Sequence, residues 1–419
     1  MAQILLDRLP QDVAALDPAD PQYATRAVDL VLAAGRDCGA SDVHLLPSAE
    51  GLDVRMRIDG VLQPVARFAA PLAANVVARL KVLSELLTYR TDVPQEGRIR
   101  GGGDVEMRVS TFPTLHGEKA VVRFFGGCGQ YRYLSDLGMP DDVRAAFERL
   151  LGETGGAILV TGPAGSGKTT TAYACLRELA ARPAPRSLVS LEDPIEVPLG
   201  GVAQSQVNPQ AGIDLSVGLR FLMRQDPEVI LVGEIRDRAT AEAALQASLT
   251  GHLLLSTFHA GSAAEAVGRL ADMGIEPYVL RSGLLAVINQ RLARRLCSCA
   301  REGDDPTAAL GLPVGRFRLP TGCAACRGTG YQGRLLLVEM LIVGQTELGR
   351  AILGRSDAGA LERLAVAAGM ITRWRRACQA VESGATSPAE VRRVLGLGEV
   401  TREDAWVVVS RTEFTPFKK

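Results

Sequence analysis

Residues Gly162 to Thr169 read GPAGSGKT and fill every fixed position of the phosphate-binding pattern G-x4-G-K-[ST]. An apolar strand, Ala157-Ile-Leu-Val-Thr161, precedes the loop, and a helix-forming run, Thr169-Thr-Thr-Ala-Tyr-Ala-Cys-Leu-Arg-Glu-Leu, follows it. That flanking context separates a working phosphate loop from a chance glycine cluster. Glycines let consecutive backbone N–H groups curl around phosphates, and the helix N-terminus adds a partial positive charge. Lys168 is placed to reach the β- and γ-phosphates, and the Thr169 hydroxyl to ligate magnesium. Gly162, Pro163, Ala164, Gly165, Ser166, Gly167, Lys168, Thr169 and Thr170 are therefore the candidate nucleotide contacts. The pattern predicts binding of a nucleoside triphosphate, and it demands an α/β fold around the loop.

Hydrolysis needs more than a loop: a base must position water and an acid must organise magnesium. Two stretches can supply them. Leu188-Val-Ser-Leu-Glu-Asp-Pro-Ile-Glu196 is an apolar strand ending in carboxylates, and Val229-Ile-Leu-Val-Gly-Glu-Ile-Arg-Asp237 repeats the design. In open α/β sheets ligands bind at the carboxyl ends of strands, so both sets can converge on the phosphate loop.

A chain of 419 residues is expected to hold two or three domains. Residues 1–21 read as a short loose extension and 22–125 as a small α+β domain. Its strands are expected at Asp42-Val-His-Leu, Leu52–Ile58, Glu106–Thr111 and Lys119–Phe125, with an Asp59-Gly60 hairpin turn and a helix from Ala73 to about Leu87. Residues 126–135 read as a linker. From 136 to 398 strands and helices alternate, as in a parallel sheet covered by helices, with 340–398 mostly helical; 399–419 form a tail. There is no internal repeat.

Lys+Arg and Asp+Glu balance at 47 each, so no global field points to nucleic acid or to an anionic membrane surface. No apolar run reaches the ~18–20 residues that cross a bilayer, and the N-terminus has no signal-peptide core. The expectation is a soluble, cytoplasmic chain whose eight cysteines are reduced. Four of them, Cys297, Cys299, Cys323 and Cys326, cluster in a C-x-C and a C-x-x-C elbow within 296–334. Four such thiolates can close a tetrahedral site suited to structural zinc, pinning a loop too poor in apolar residues to hold itself; four reduced, partly buried cysteines are the alternative.

The motifs together resemble one family. Glu192-Asp-Pro-Ile-Glu196 is similar to the aspartate box of the type II secretion and type IV pilus assembly ATPases, Leu219–Asp237 to their Walker B segment, and Gly251–His259 to their histidine box. Ala40-Ser-Asp-Val-His44, Val54–Gly60 and Gly117-Glu-Lys119 are similar to their N-terminal domain, and the likeness covers roughly 22–398. The first cysteine elbow departs from the family's usual C-x-x-C.

The resemblance implies a RecA-like phosphate-loop ATPase domain, a smaller PAS-like N-terminal domain and a small zinc-binding subdomain. It implies Glu196 as general base, Glu234 as the magnesium-organising acid and His259 as the γ-phosphate sensor, with ATP, magnesium and zinc as cofactors. Arg98, Arg108 and Arg123 match the arginines that approach nucleotide from the N-terminal domain. It further implies a homohexamer on the cytoplasmic face of the inner membrane, acting on an inner-membrane platform protein and recruited by a membrane adaptor. Relatives often carry an extra adaptor-docking domain ahead of the first position here. The cysteine elbows favour the assembly branch; a pilus retraction motor, a DNA-translocating ATPase and a regulator without turnover are the competing readings.

Overall fold

The computed structural model describes residues 2–100, 106–125, 131–184, 186–344 and 347–396. Residues 126–130 of the expected linker and the expected tail, with its apolar stretch at 405–410, lie outside the described residues. The chain forms two compact units: Met1–Asp136 with Tyr173–Gly218, and Leu137–Ala172 with the chain from Leu219 onward.

The first unit opens with α1 (Ala2–Ala14), α2 (Tyr23–Asp37), β1 (Asp42–Ser48), β2 (Gly51–Ile58), β3 (Val61–Ala69), α3 (Ala73–Leu83), β4 (Gln95–Arg100), β5 (Glu106–Thr114) and β6 (Gly117–Phe124). The strands form an antiparallel sheet in the order β3-β2-β1-β6-β5-β4. Their apolar positions alternate, so Val43, Leu45, Val54, Met56, Val109 and Val122 share one buried face with the apolar stripes of α2 and α3. Asp59 and Gly60 both take positive φ (49° and 80°), the turn that matches strand twist in a tight hairpin.

Two local expectations needed correction, and one strand was not anticipated. The stretch expected to be loose contains α1, whose Leu9 and Val13 are buried in this core; Pro10 inside the helix disguises it as a breaker. Helix α3 ends at Leu83 rather than near Leu87, where the Ser84 hydroxyl bonds Leu80 O at 2.7 Å and Glu85 turns to φ 59°. Strand β4 has no clear apolar alternation to announce it. Its Gly97 is required by close approach, since a Cβ there would lie 2.3 Å from Ser84 O.

The chain continues through α4 (Asp141–Leu150), β7 (Gly156–Thr161), α5 (Lys168–Ala180), β8 (Leu188–Glu192), β9 (Ala203–Gln206), α6 (Leu215–Leu222), β10 (Val229–Ile235), α7 (Arg238–Leu249), β11 (Leu253–Phe258), α8 (Ala263–Asp272), α9 (Pro277–Gly283) and β12 (Leu284–Leu296). A small lobe with β13 (Arg301–Glu302) and β14 (Arg318–Leu319) leads to β15 (Tyr331–Ile342). Helices α10 (Glu347–Leu353), α11 (Ala358–Ala367), α12 (Arg373–Glu382) and α13 (Pro388–Leu395) follow.

In the second unit β7 pairs in parallel with β11 and β12, β11 in parallel with β10, and β15 runs antiparallel along β12. Every residue of β7 and β11 is buried, as strands covered on both faces must be. Helix starts are capped by side chains, Asp237 accepting from Thr240 N and Ser262 from Glu265 N. In the first unit β8 and β9 pair in parallel. The whole is a mixed α/β fold.

Candidate active site

The phosphate loop joins β7 to α5, and its glycines carry the backbone that only glycine accepts without strain. Gly162, Gly165 and Gly167 have φ of 147°, 74° and 87°, and a Cβ on Gly162 would meet Gln290 O at 2.5 Å. Lys168, the first residue of α5, is buried, and its ammonium donates to Gly162 O (3.1 Å) and Pro163 O (3.0 Å). The ammonium thus lies within the curl of the loop, where an incoming phosphate would compete for it. The Ser166 hydroxyl, also buried, has no hydrogen-bond partner among the described residues.

The second acid and the histidine meet at the ends of neighbouring strands. Glu234 near the end of β10 and His259 just after β11 are joined by a 2.7 Å contact between Oε1 and Nε2. The other oxygen of Glu234 accepts from Arg236 Nε at 2.6 Å. Thr257 Oγ1 donates to Gly233 O at 2.7 Å, and the Arg269 guanidinium bonds the His259 carbonyl, so both partners sit on a braced backbone. His252, the other histidine of the segment, instead bonds Ala247 O at 3.0 Å and serves the end of α7.

In the first unit, Glu196 follows β8 in a half-buried loop, and its backbone N–H donates to Tyr173 Oη at 3.1 Å. The three candidate arginines stand in one cross-strand row. Arg98 of β4 faces Arg108 of β5, Arg108 faces Arg123 of β6, and Arg123 faces Asp42 of β1. Like charges placed opposite repel, and acids relieve them. Arg98 pairs with Glu106 (3.1 Å), Arg108 with Glu96 (2.8 Å) and Arg123 with the buried Asp42 (2.8 Å). The row lies on the face of the sheet away from the apolar core.

The four cysteines of the small lobe come together, all sulfurs within 4.8 Å of one another. The Cys297–Cys323, Cys299–Cys326 and Cys323–Cys326 sulfur separations are each 3.8 Å. A tetrahedron with metal–sulfur bonds of ~2.3 Å has edges of ~3.8 Å, so the donor set fits zinc. Cys326 Sγ accepts backbone N–H bonds from Cys323 (3.1 Å) and Gly330 (3.2 Å), which favour the thiolate. Hydrogen bonding, first from Thr321, lowers the Cys299 thiol to about 6, whereas Cys323, although a Cys326 backbone hydrogen bond acts to lower it, is pushed up to about 11 by burial and the neighbouring sulfurs. The shortened C-x-C elbow still delivers Cys299 to the cluster. A cavity of about 380 Å³ is lined by Arg220, Arg238, Glu242 and Tyr278, and its lining includes none of Lys168, Glu196, Glu234, His259 or the four cysteines.

The sequence matches the family model for type II/IV secretion system proteins over residues 18–394. The chain belongs to this family. It is 42% identical over 363 residues to type II secretion system protein E of Dickeya dadantii, covering 85% of this chain and 72% of that protein. It is 41% identical over 410 residues to type II secretion system protein E of Aeromonas hydrophila, covering 96% and 80%. The fold is like that of the Legionella pneumophila ATPase DotB, with a TM-score of 0.66 at 20% identity over 90% of this chain and 97% of that one. As a family member the protein is an ATP-hydrolysing enzyme of the type II secretion and type IV pilus ATPase superfamily. Among the described residues no helix is long and apolar enough to cross a membrane.

Sequence reasoning missed a group in this family member that holds the phosphate loop in place. Asn289, Gln290 and Arg291 are consecutive on β12, and the first two are almost fully buried. Gln290 Nε2 donates to Ser166 O (2.8 Å) while its Oε1 accepts from Thr171 Oγ1 (3.1 Å). Asn289 Nδ2 donates to Thr161 Oγ1 (2.9 Å) and Ala260 O (3.1 Å), and Arg291 to Gly261 O (2.8 Å). The phosphate loop and the segment after His259 are thereby fastened to one strand. The available signal was a polar Asn-Gln pair directly after the apolar run Leu284–Ile288 of the same strand.

Proposed function

We propose that this ATPase works as a cytoplasmic homohexamer that drives assembly of a pseudopilus or type IV pilus by moving an inner-membrane platform protein. The carrying observation is the Glu234–His259 contact of 2.7 Å in the same unit as the Lys168 loop, since it pairs an acid with a group able to respond to the γ-phosphate. Glu196 serves as the base that orients water. Thr169 and Glu234 are the residues to hold magnesium, which when bound neutralises charge developing on the phosphoryl oxygens. The row of Arg98, Arg108 and Arg123 presents guanidinium forks suited to the same oxygens. The fit of the four sulfurs to a tetrahedral edge supports structural zinc, and the antiparallel sheet with helices on one face supports a PAS-like N-terminal domain. The cysteine cluster also favours assembly over retraction, because the family resemblance ties it to the assembly branch.

The test is a pair of substitutions. Glu196→Gln is expected to keep ATP binding and lose turnover by at least ~10²-fold, the scale of general-base removal, whereas Lys168→Ala loses both. Near-normal turnover in Glu196→Gln would remove Glu196 as the base.

A further inference from the structure

A buried polar network in the first unit has no part in the roles described so far. Glu192, the last residue of β8, is 3% exposed, yet among the described residues its carboxylate bonds no cation. It is held by neutral donors instead. Oε1 accepts from Ser190 Oγ (2.6 Å) and Gln204 Nε2 (3.1 Å), and Oε2 accepts from the Tyr173 hydroxyl. Gln204 also bonds Val197 O (3.2 Å) and Leu199 N (2.6 Å), so the network grips the chain on the far side of Glu196 as well. Tyr173 is itself buried, and its oxygen accepts the Glu196 N–H at 3.1 Å.

We infer that Tyr173 is a positioning residue for ATP hydrolysis, holding the Glu196 backbone through a hydroxyl whose direction the Glu192 carboxylate dictates. The phenol oxygen accepts the Glu196 N–H, so its single proton is left to donate to Glu192 Oε2. A hydroxyl is otherwise a free rotor; here both of its ends are specified. Burial, and next the Glu192 hydrogen bond, push the Tyr173 phenol far above its ordinary value, which keeps the donor proton in place. A buried carboxylate without a cation is costly, and setting the orientation of one hydroxyl gives it a purpose.

This inference rests on Glu196 being the base, and the experiment separates the two. Steady-state ATP turnover and binding of a non-hydrolysable ATP analogue are measured on the full chain for Tyr173→Phe, Glu196→Gln and the double variant. Tyr173→Phe keeps the ring and loses the hydroxyl. It is expected to lower kcat ~10–100-fold, with KM and analogue affinity within about twofold, the scale of one buried hydrogen bond. In the Glu196→Gln background the same change is expected to add no further loss, because a residue acting only through Glu196 has nothing left to position. Wild-type kcat in Tyr173→Phe, equal losses in kcat and analogue binding, or a full additional loss in the double variant each overturn the inference. Near-normal turnover in Glu196→Gln overturns the assignment of the base itself. If Tyr173→Phe does not fold, Glu192→Gln carries the test: its amide can donate and no longer dictates the phenol's direction. A lowered kcat with KM unchanged then supports the inference, and an unchanged kcat overturns it.

Discussion

Gln290→Leu tests whether the phosphate loop owes its shape to β12. The substitution roughly keeps the side-chain volume and removes two buried hydrogen bonds, to Ser166 O at 2.8 Å and from Thr171 Oγ1 at 3.1 Å. Each contributes ~1 kcal/mol net, and leaving a buried partner unsatisfied adds a penalty of similar size, so the folded state loses about 2–4 kcal/mol. The bonds hold the loop directly, so nucleotide must now pay the cost of ordering it. If about 2 kcal/mol of that loss falls on binding, the Kd for ATP rises ~30-fold. Titration of a fluorescent ATP analogue, at fixed magnesium and against a melting curve of the same protein, reads both quantities. A Kd within twofold of wild type in a protein that melts lower would show that Gln290 stabilises the fold generally and does not shape the loop. No change in either would refute the two hydrogen bonds as energetically relevant.

Two further outcomes follow from the rest of the structure. Purified protein is expected to carry about one zinc per chain by elemental analysis, and Cys326→Ser to lose it, because this sulfur is both a candidate ligand and the acceptor of two backbone N–H bonds; zinc-free wild-type protein would end the claim. Glu390 on α13 has a fully buried side chain, and guanidinium groups of Arg294 and Arg393 pair with it at 2.7 and 2.5 Å. Burial acts to raise its carboxyl, but the hydrogen bonds from Arg393, Arg294 and the Arg294 N–H together hold it below the usual range. Glu390→Gln is expected to cost about 3 kcal/mol and ~6–12 °C in melting temperature at pH 7. A depressed carboxyl contributes fully above its unfolded value near ~4.3 and loses that contribution as pH falls through the folded value. The gap between wild type and variant in thermal melts should therefore close as the pH is lowered below about 4; a gap independent of pH would contradict the pairing.

What was legible in the sequence was what lies close along the chain. The phosphate loop, the acids ending β8 and β10 and the histidine after β11 are each contained in a few residues, and strand chemistry alone puts Glu234 and His259 at neighbouring strand ends. The brace was not legible, because Gln290 meets Ser166 across 124 residues and no local pattern reports a contact of that span. Tyr173 was hidden differently: inside a helical run, a buried tyrosine reads as core, and only the fold shows its hydroxyl between Glu192 and Glu196. The arginine row is an intermediate case. Arg98, Arg108 and Arg123 could be picked out by type and position, but their alignment is a property of register, set for the last two by the hairpin in which Thr114 faces Gly117. Side chains alternate with period two, so a slip of one residue in that hairpin would turn Arg123 toward the apolar core and Val122 toward solvent. Burial of Val122, Val109 and Ala120 against the helices holds the register by several kcal/mol. The apolar face of this sheet therefore decides, from its opposite side, that three guanidinium groups stand in line.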